Sequence, residues 1–300
     1  MAREPVRLML TGANGQLGFE LGRSLAVLGD VWALDRTACN LADPAAVEAA
    51  VSRWRPHIIV NAAAWTAVDK AESEPAAAGA VNATGPGLLA SLAADSGALL
   101  VHYSTDYVFD GSGVRPWRED DATGPLSVYG QSKLAGEQAI AAAGARHLIF
   151  RTSWVYGAHG ANFLKTVLRL ARERDRLAMV ADQIGAPTGA ALIADVTAQV
   201  LAQYLRSRRE QFAYGTYHLA AGGETSWQQY ARFVVAEAAA LGQSFALSAD
   251  DIAPIATDDY PLPARRPANS RLDCSKLCET FDLHLPDWHD GVRQVLSLLC

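Results

Sequence analysis

Tyr129 and Lys133 stand four residues apart in Tyr129-Gly130-Gln131-Ser132-Lys133, a spacing that places both on one face of a helix. A phenol with a pKa of about 10 is a weak acid–base group at neutral pH, and an ammonium beside it favours the phenolate. Lowering that pKa by about three pH units takes roughly 4 kcal/mol, within reach of a close, partly desolvated charge. Alone, Tyr-x-x-x-Lys is frequent and usually marks a surface pair. Ser104-Thr105-Asp106-Tyr107 adds a second part: hydroxyls at the end of an apolar run that can hydrogen-bond a carbonyl while the tyrosine protonates it.

A second constellation lies near the N-terminus, in Leu8-Met9-Leu10-Thr11-Gly12-Ala13-Asn14-Gly15-Gln16-Leu17-Gly18. It reads as a buried strand running into a tight turn that opens a helix. A pyrophosphate needs backbone N–H groups at a helix N-terminus and an approach free of Cβ atoms, which Gly12, Gly15 and Gly18 supply. The spacing is GxxGxxG rather than GxGxxG, and by itself it fits a plain strand-to-helix turn equally well. A second apolar run, Val31-Trp32-Ala33-Leu34, ends in Asp35, about 20 residues beyond the glycines, where a carboxylate can accept from a ribose hydroxyl. Arg36, next to it, can meet a 2′-phosphate, so the pair points to both NADH and NADPH.

The elements that must position these residues alternate regularly: short apolar strands and alanine-rich amphipathic helices, the pattern of a doubly wound parallel sheet. Strands are predicted at 7–10, 31–34, 57–60, 99–103 and 147–151, and helices at 15–28, 44–53, 75–95 and 128–143. In such sheets ligands gather at the carboxyl ends of the strands, here from Asn61, Ser104 and Thr152 onward. Past Tyr156 the alternation loosens. The sequence predicts a helix at 162–174, a strand or loop at 179–188, a sheet-covering helix at 192–205, a strand at 215–219 and a helix at 226–241 capped by Ser226. The tail, with Pro254, Pro261, Pro263 and Pro267, reads as loop until a last helix at 286–299. This divides the chain into a dinucleotide-binding domain, 1–155, to which 189–221 returns, and a smaller interleaved lobe over most of 156–300 that takes the substrate.

Composition excludes several classes. Half of the 300 residues are hydrophobic, enough for a substantial core. The net charge of −6, with no basic block, argues against nucleic acid or an anionic membrane as partner. Arg206-Ser207-Arg208-Arg209 is the densest basic cluster and reads as the cationic end of a solvated helix. No uncharged apolar run of about 18 residues occurs, and Met1-Ala2-Arg3-Glu4-Pro5 leads directly into a strand, which points to the cytoplasm. Cys39, Cys274, Cys278 and Cys300 are too scattered for a disulfide framework. Cys274 and Cys278 share a helical spacing but lack a second ligand pair, so no metal is expected.

These motifs together resemble the extended branch of the short-chain dehydrogenase/reductase superfamily: the glycine turn, Asn61-Ala62-Ala63-Ala64, Ser104-Thr105-Asp106-Tyr107-Val108-Phe109-Asp110-Gly111 and Tyr129 to Lys133. Within it the chain is similar to reductases of 4-keto nucleotide sugars, through Thr66-Ala67-Val68-Asp69-Lys70-Ala71-Glu72, Arg151-Thr152-Ser153-Trp154-Val155-Tyr156-Gly157, Asn162-Phe163, Asp182-Gln183-Ile184-Gly185-Ala186-Pro187-Thr188 and Arg266-Pro267-Ala268-Asn269-Ser270-Arg271-Leu272-Asp273. The resemblance implies a Rossmann-like fold, NADPH or NADH as cofactor, and reduction of a dTDP-4-keto-6-deoxy sugar to dTDP-L-rhamnose by a monomer or homodimer. It implies Thr105, Tyr129 and Lys133 as the catalytic set. Cofactor contacts would fall at Gly12, Asn14, Gly15, Gln16, Leu17, Gly18, Asp35, Arg36, Asn40, Leu41, Ala64, Trp65, Thr66, Tyr103, Tyr129 and Lys133. Substrate contacts would be Thr105, Asp106, Tyr129 and Trp154, with Arg266 a candidate for the substrate pyrophosphate. Tyr103 and Trp154 also have a plain packing reading.

One departure stands out. Glu20 matches a magnesium-ligating glutamate of some metal-bridged dimers in this group, but Ala191 stands where a glutamate is expected, and a hard cation needs several oxygen ligands. Two alternatives stay open: another nucleotide-sugar reductase or epimerase on the same scaffold, and a regulatory subunit that keeps the fold without catalysis.

Overall fold

The computed structural model describes residues 4–300. Its first half runs β1 (Arg7–Thr11), α1 (Gln16–Leu25), β2 (Asp30–Leu34), α2 (Pro44–Trp54), β3 (Ile58–Asn61), α3 (Val68–Ser73), α4 (Pro75–Gly79), α5 (Gly85–Ser96), β4 (Leu99–Thr105), α6 (Val128–Ala142) and β5 (Arg146–Thr152). The second half runs β6 (Val155–Tyr156), α7 (Phe163–Glu173), β7 (Leu177–Val180), β8 (Ile184–Gly185), β9 (Thr188–Gly189), α8 (Ala190–Arg206), β10 (Gly215–His218), β11 (Thr225–Ser226), α9 (Trp227–Ala240), β12 (Ile252–Ile255), α10 (Ser275–Phe281) and α11 (Trp288–Leu299).

Six strands form one parallel sheet in the order β10-β5-β4-β3-β1-β2. The strands are apolar almost without interruption because both faces are covered. Alternate residues divide between two cores. Leu8, Leu10, Ile58, Val60, Leu99 and Val101 pack with α1 and α8, while Met9, Ile59, Leu100 and Ile149 pack with α2 and α5. From β1 the chain first moves to one side, to β2, and then crosses to the other, to β3. The carboxyl ends of β1 and β3 therefore flank the switch point where a parallel sheet leaves a crevice.

Local signals set the helix starts. Asp43 accepts from the N–H groups of Ala45 and Ala46 ahead of Pro44 in α2, and Ser127 accepts from Gly130 N–H at 3.2 Å to start α6. A third core gathers Tyr156, Leu164, Tyr230, Val234 and Trp288 between α7, α9 and α11. α8 lies on α1, and β10 extends the sheet beside β5.

Four differences from the sequence reading have physical causes. α1 ends at Leu25 rather than 28. The helix expected at 75–95 carries a π-helical turn, Ala80–Thr84, between α4 and α5, and the extra residue turns Asn82 inward. Pro254 does not exclude a strand: β12 pairs in parallel with β7 alone, as an edge that tolerates a proline. The tail is not loop throughout, since α10 buries Leu277 and Phe281 in the core beside β10; seven residues are too few to display a period. No helix among the described residues is long and apolar enough to cross a membrane.

One buried ion pair ties α6 to β5. Arg151 Nη2 donates to Glu137 Oε2 at 2.6 Å and Nε to Oε1 at 3.0 Å, with both side chains 7% exposed. Glu137→Ala strands a guanidinium, so unfolding in urea should show a loss of about 3 kcal/mol or more, partly recovered when Arg151→Met is added. A loss below about 1 kcal/mol for the single variant would mean that water reaches Arg151 and screens it.

Candidate active site

At the end of β1 the backbone turns with Gly12 at φ +74°, a region a β-carbon disfavours, and a Cβ there would lie 2.6 Å from Ala63 N. A Cβ on Gly18 would lie 2.0 Å from the Gly12 carbonyl oxygen. The first turn of α1 thus sits against the β1 loop, closer than any side chain permits. Gly15, the residue before α1, supplies no side-chain cap, which leaves N–H groups of the first turn free for an anion. These features fit a pyrophosphate.

The other residues assigned to a dinucleotide surround this turn. Asp35, at the end of β2, accepts from Ala38 N–H at 3.0 Å, Thr37 N–H at 2.9 Å and Asn14 Nδ2 at 3.3 Å. Those donors, Ala38 first, hold its carboxyl below the ordinary value. Arg36 is exposed beside it. Asn40 Oδ1 accepts from Ala42 N–H, and Leu41 is buried in the core, its carbonyl against Gly85. From the other side, Asn162 Nδ2 donates to Gln16 Oε1 at 2.9 Å, and His159 Nε2 donates to the Asn14 carbonyl at 3.1 Å. Leu17 packs against the core under the turn.

After β3, the loop with Ala64, Trp65 and Thr66 is held by a residue that sequence reasoning missed. Asn82, 1% exposed, accepts from Trp65 N–H at 2.8 Å and donates to the Trp65 carbonyl at 3.1 Å and to Ser132 Oγ at 2.9 Å. It joins the β3 loop to α6, which is distant in sequence but adjacent in space. Its only sequence signal is an asparagine inside an alanine-rich helical run.

Thr105, Tyr129 and Lys133 meet where β4 ends and α6 begins. The Thr105 hydroxyl donates to Asp106 Oδ1 at 3.0 Å and accepts from Tyr107 N–H at 3.2 Å. Burial, then Asp106, push the Tyr129 phenol up to about 12, with the neighbouring Thr105 hydroxyl acting against them. The four-residue spacing alone predicts the opposite, with Lys133 lowering that pKa. Lys133 does not offset that rise: its Nζ, 2% exposed, donates to the Tyr103 carbonyl at 2.6 Å and lies 3.2 Å from His102 Nε2. A phenol near 12 stays protonated at neutral pH, the form that gives a proton to a developing alkoxide. Burial takes Lys133 down to about 8, with Glu137 acting against it. Asp106 is raised to about 6 by burial, offset only in part by Ser270 and Thr105, and its Oδ2 has no hydrogen-bond partner.

The remaining assigned residues separate. Tyr103 directs its phenol into the core, 2.9 Å from Thr197 Oγ1, so only its carbonyl reaches the site. Trp154 holds a strained φ of +47° and stacks on Trp227 with ring centroids 3.6 Å apart. Arg266 forms a two-point pair with Asp69, Nη1–Oδ1 3.0 Å and Nη2–Oδ2 2.8 Å. Its Nη1 also donates to the Ala264 carbonyl, leaving Nε and one Nη2 proton for another acceptor. Asp69 and Arg266 border a cavity of about 1890 Å³ that extends past Asp110, Phe163, Arg176 and Trp227. Tyr129 does not line it. Glu20 faces Arg23 at 3.5 Å.

A doubly wound parallel sheet with a glycine turn at its switch point, and a Thr, Tyr, Lys group on the next strand end and helix, defines an oxidoreductase of the extended short-chain dehydrogenase/reductase class. More narrowly, the family described as the RmlD substrate binding domain matches residues 6–300, and the chain belongs to it. It is 50% identical over 298 residues to the dTDP-4-dehydrorhamnose reductase of Shigella flexneri, covering 98% of each chain. It is also 50% identical over 297 residues to that of Burkholderia thailandensis, covering 97% of this chain and 100% of the other. Among solved structures, the dTDP-4-dehydrorhamnose reductase of Bacillus anthracis in complex with NADP superposes with a TM-score of 0.87 at 34% identity, covering 99% and 100% of the two chains.

Two glycines of α1 make a paired test. A methyl group on Gly22 would have nothing within 4 Å, whereas one on Gly18 would meet the Gly12 carbonyl. Gly22→Ala should leave NADPH affinity intact and stabilise by up to about 1 kcal/mol. Gly18→Ala should weaken NADPH at least about tenfold and lower the melting temperature, since α1 must move off the turn. Equal effects in a binding titration would show that α1 does not depend on this contact.

Proposed function

We propose that this chain is an NAD(P)H-dependent dTDP-4-dehydrorhamnose reductase, which reduces the 4-keto group of dTDP-4-dehydro-L-rhamnose to give dTDP-L-rhamnose. The observation that carries the reading is the meeting of Thr105, Tyr129 and Lys133 at the end of β4, beside the glycine turn. Near-complete coverage by relatives of that activity supports it. The bound dinucleotide supplies the hydride.

The chain's own groups do the rest. The turn at Gly12, Asn14, Gly15, Gln16, Leu17 and Gly18 receives the pyrophosphate, and Asp35 and Arg36 receive the adenosine ribose and any 2′-phosphate. Asn40, Leu41 and the loop at Ala64, Trp65 and Thr66 line the path toward the Tyr103 carbonyl and Lys133, which hold the nicotinamide ribose. Tyr129 gives its proton to the ketone oxygen, and Thr105 donates to the same oxygen and orients it. Asp106 and Trp154 position the sugar. Arg266 keeps two N–H donors for the substrate pyrophosphate while Asp69 holds its plane. Residues 1–155 with 189–221 act as the dinucleotide-binding part, and the rest of 156–300 closes on the sugar nucleotide. Proton delivery from Tyr129 needs no metal, and the enzyme works as a monomer or homodimer in the cytoplasm, where reduced nicotinamide is supplied.

Tyr129→Phe removes one hydroxyl. Turnover should fall on the order of 10²- to 10⁴-fold with NADPH binding unchanged, while Lys133→Met should reduce both; near-normal turnover of the Phe variant under conditions where chemistry limits the rate would remove Tyr129 as the acid. Arg36→Ala should weaken NADPH more than NADH in direct titrations, because only NADPH carries the 2′-phosphate. Parallel losses for the two would place Arg36 away from the ribose.

A further inference from the structure

Asn61, His102 and Lys133 form a buried chain in which every hydrogen can be assigned. Asn61 Oδ1 accepts from the Thr11 hydroxyl at 2.6 Å and from the Ala63 N–H at 3.2 Å. A backbone N–H can only donate, so the amide cannot be turned over to face Ala63 with its nitrogen. Asn61 Nδ2 therefore donates to His102 Nδ1 at 3.0 Å. A neutral imidazole whose Nδ1 accepts carries its proton on Nε2. That N–H faces Lys133 Nζ at 3.2 Å, and Nζ itself donates to the Tyr103 carbonyl at 2.6 Å.

An ammonium has three donors and no acceptor, so beside an Nε2–H it makes a donor-to-donor contact; an amine satisfies every contact in the chain. We propose that His102 is a positioning residue whose Nε2–H favours the amine form of Lys133 and so draws the lysine's midpoint down toward neutral pH in the ligand-free protein.

The surroundings agree. Burial keeps His102 well below the ordinary histidine value, hence neutral, and burial brings Lys133 to about 8. Glu137, one turn along α6, favours the charged lysine, but Arg151 of β5 clamps both of its oxygens. Tyr129, one turn back, is a protonated phenol. β1 and β3 present only the neutral Thr11 and Asn61. Charging Lys133 requires Nζ to leave His102 for another acceptor. That this acceptor is a ribose hydroxyl rests on the function proposed above; the proton inventory of the ligand-free chain does not.

The test is NMR on the ligand-free protein. Imidazole nitrogen shifts locate the His102 proton, and lysine Cε shifts followed with pH locate the Lys133 midpoint. His102 should stay a neutral Nε2–H tautomer between about pH 6 and 9, and Lys133 should titrate near 8, below the ordinary lysines at about 10.4. An Nδ1–H tautomer, or a Lys133 that stays charged beyond about pH 9.5, would overturn the proposal. Asn61→Asp supplies the reversal. Its carboxylate accepts from Thr11, from Ala63 and from an Nδ1–H, so the proton should move to Nδ1, Nε2 should become an acceptor, and the Lys133 midpoint should rise by about one pH unit or more. A folded Asn61→Asp protein in which both readings stay put would also overturn it. If that variant fails to fold, the wild-type tautomer and midpoint decide alone. Neither readout uses turnover, so an error in the functional assignment would leave both results standing.

Discussion

The contact on which the site depends is the seating of α1 against the loop after β1. Where Gly18 meets the Gly12 carbonyl, even a methyl group would come within 2.0 Å. That closeness aims the free N–H groups of the first turn into the crevice between β1 and β3. α8 braces α1 from behind, through Ser24 and Arg23, which both donate to Asp195. A helix from the second half of the chain therefore supports the glycine turn of the first.

From the same turn a line of buried polar groups runs across the carboxyl edge of the sheet: Thr11 on β1, Asn61 on β3, His102 on β4 and Lys133 on α6. Such a chain is stable only when each member is satisfied, because an unpaired buried polar group costs about 1–3 kcal/mol. It links the position of the glycine turn to that of the lysine over three strands. Asn82 does the same for the β3 loop and Ser132. Lys133 and the first turns of α6 are thus held by groups drawn from three strands and the β3 loop.

The central sheet can be read from the residues because its strands are near-continuous apolar runs separated by amphipathic helices, two patterns that differ in period. Five strands and the main helices fall within a few residues of their expected positions. What escapes a sequence reading is short or set by tertiary packing. α3 and α10 have six and seven residues, β12 is a strand only because β7 lies beside it, and the π turn at Asn82 depends on what that side chain meets across the gap. At the site, Tyr129 and Lys133 are visible from spacing, but the direction of the Tyr129 shift is not. It depends on how deeply the phenol is buried and on where Nζ points, and neither is written in a local motif. In sequence His102 is one more residue of an apolar strand; the register sets it beside Asn61.

The activity that these features serve is reduction of a 4-keto sugar nucleotide. The direct measurement is NADPH consumption after dTDP-4-dehydro-L-rhamnose is added, with the product identified by chromatography against other 4-keto nucleotide sugars as competitors. NADPH oxidation should be matched one-for-one by dTDP-L-rhamnose, with the competitors turned over more slowly. A protein that binds NADPH firmly yet oxidises none of it with any 4-keto nucleotide sugar would contradict that activity, and would recast the intact fold as a binding subunit.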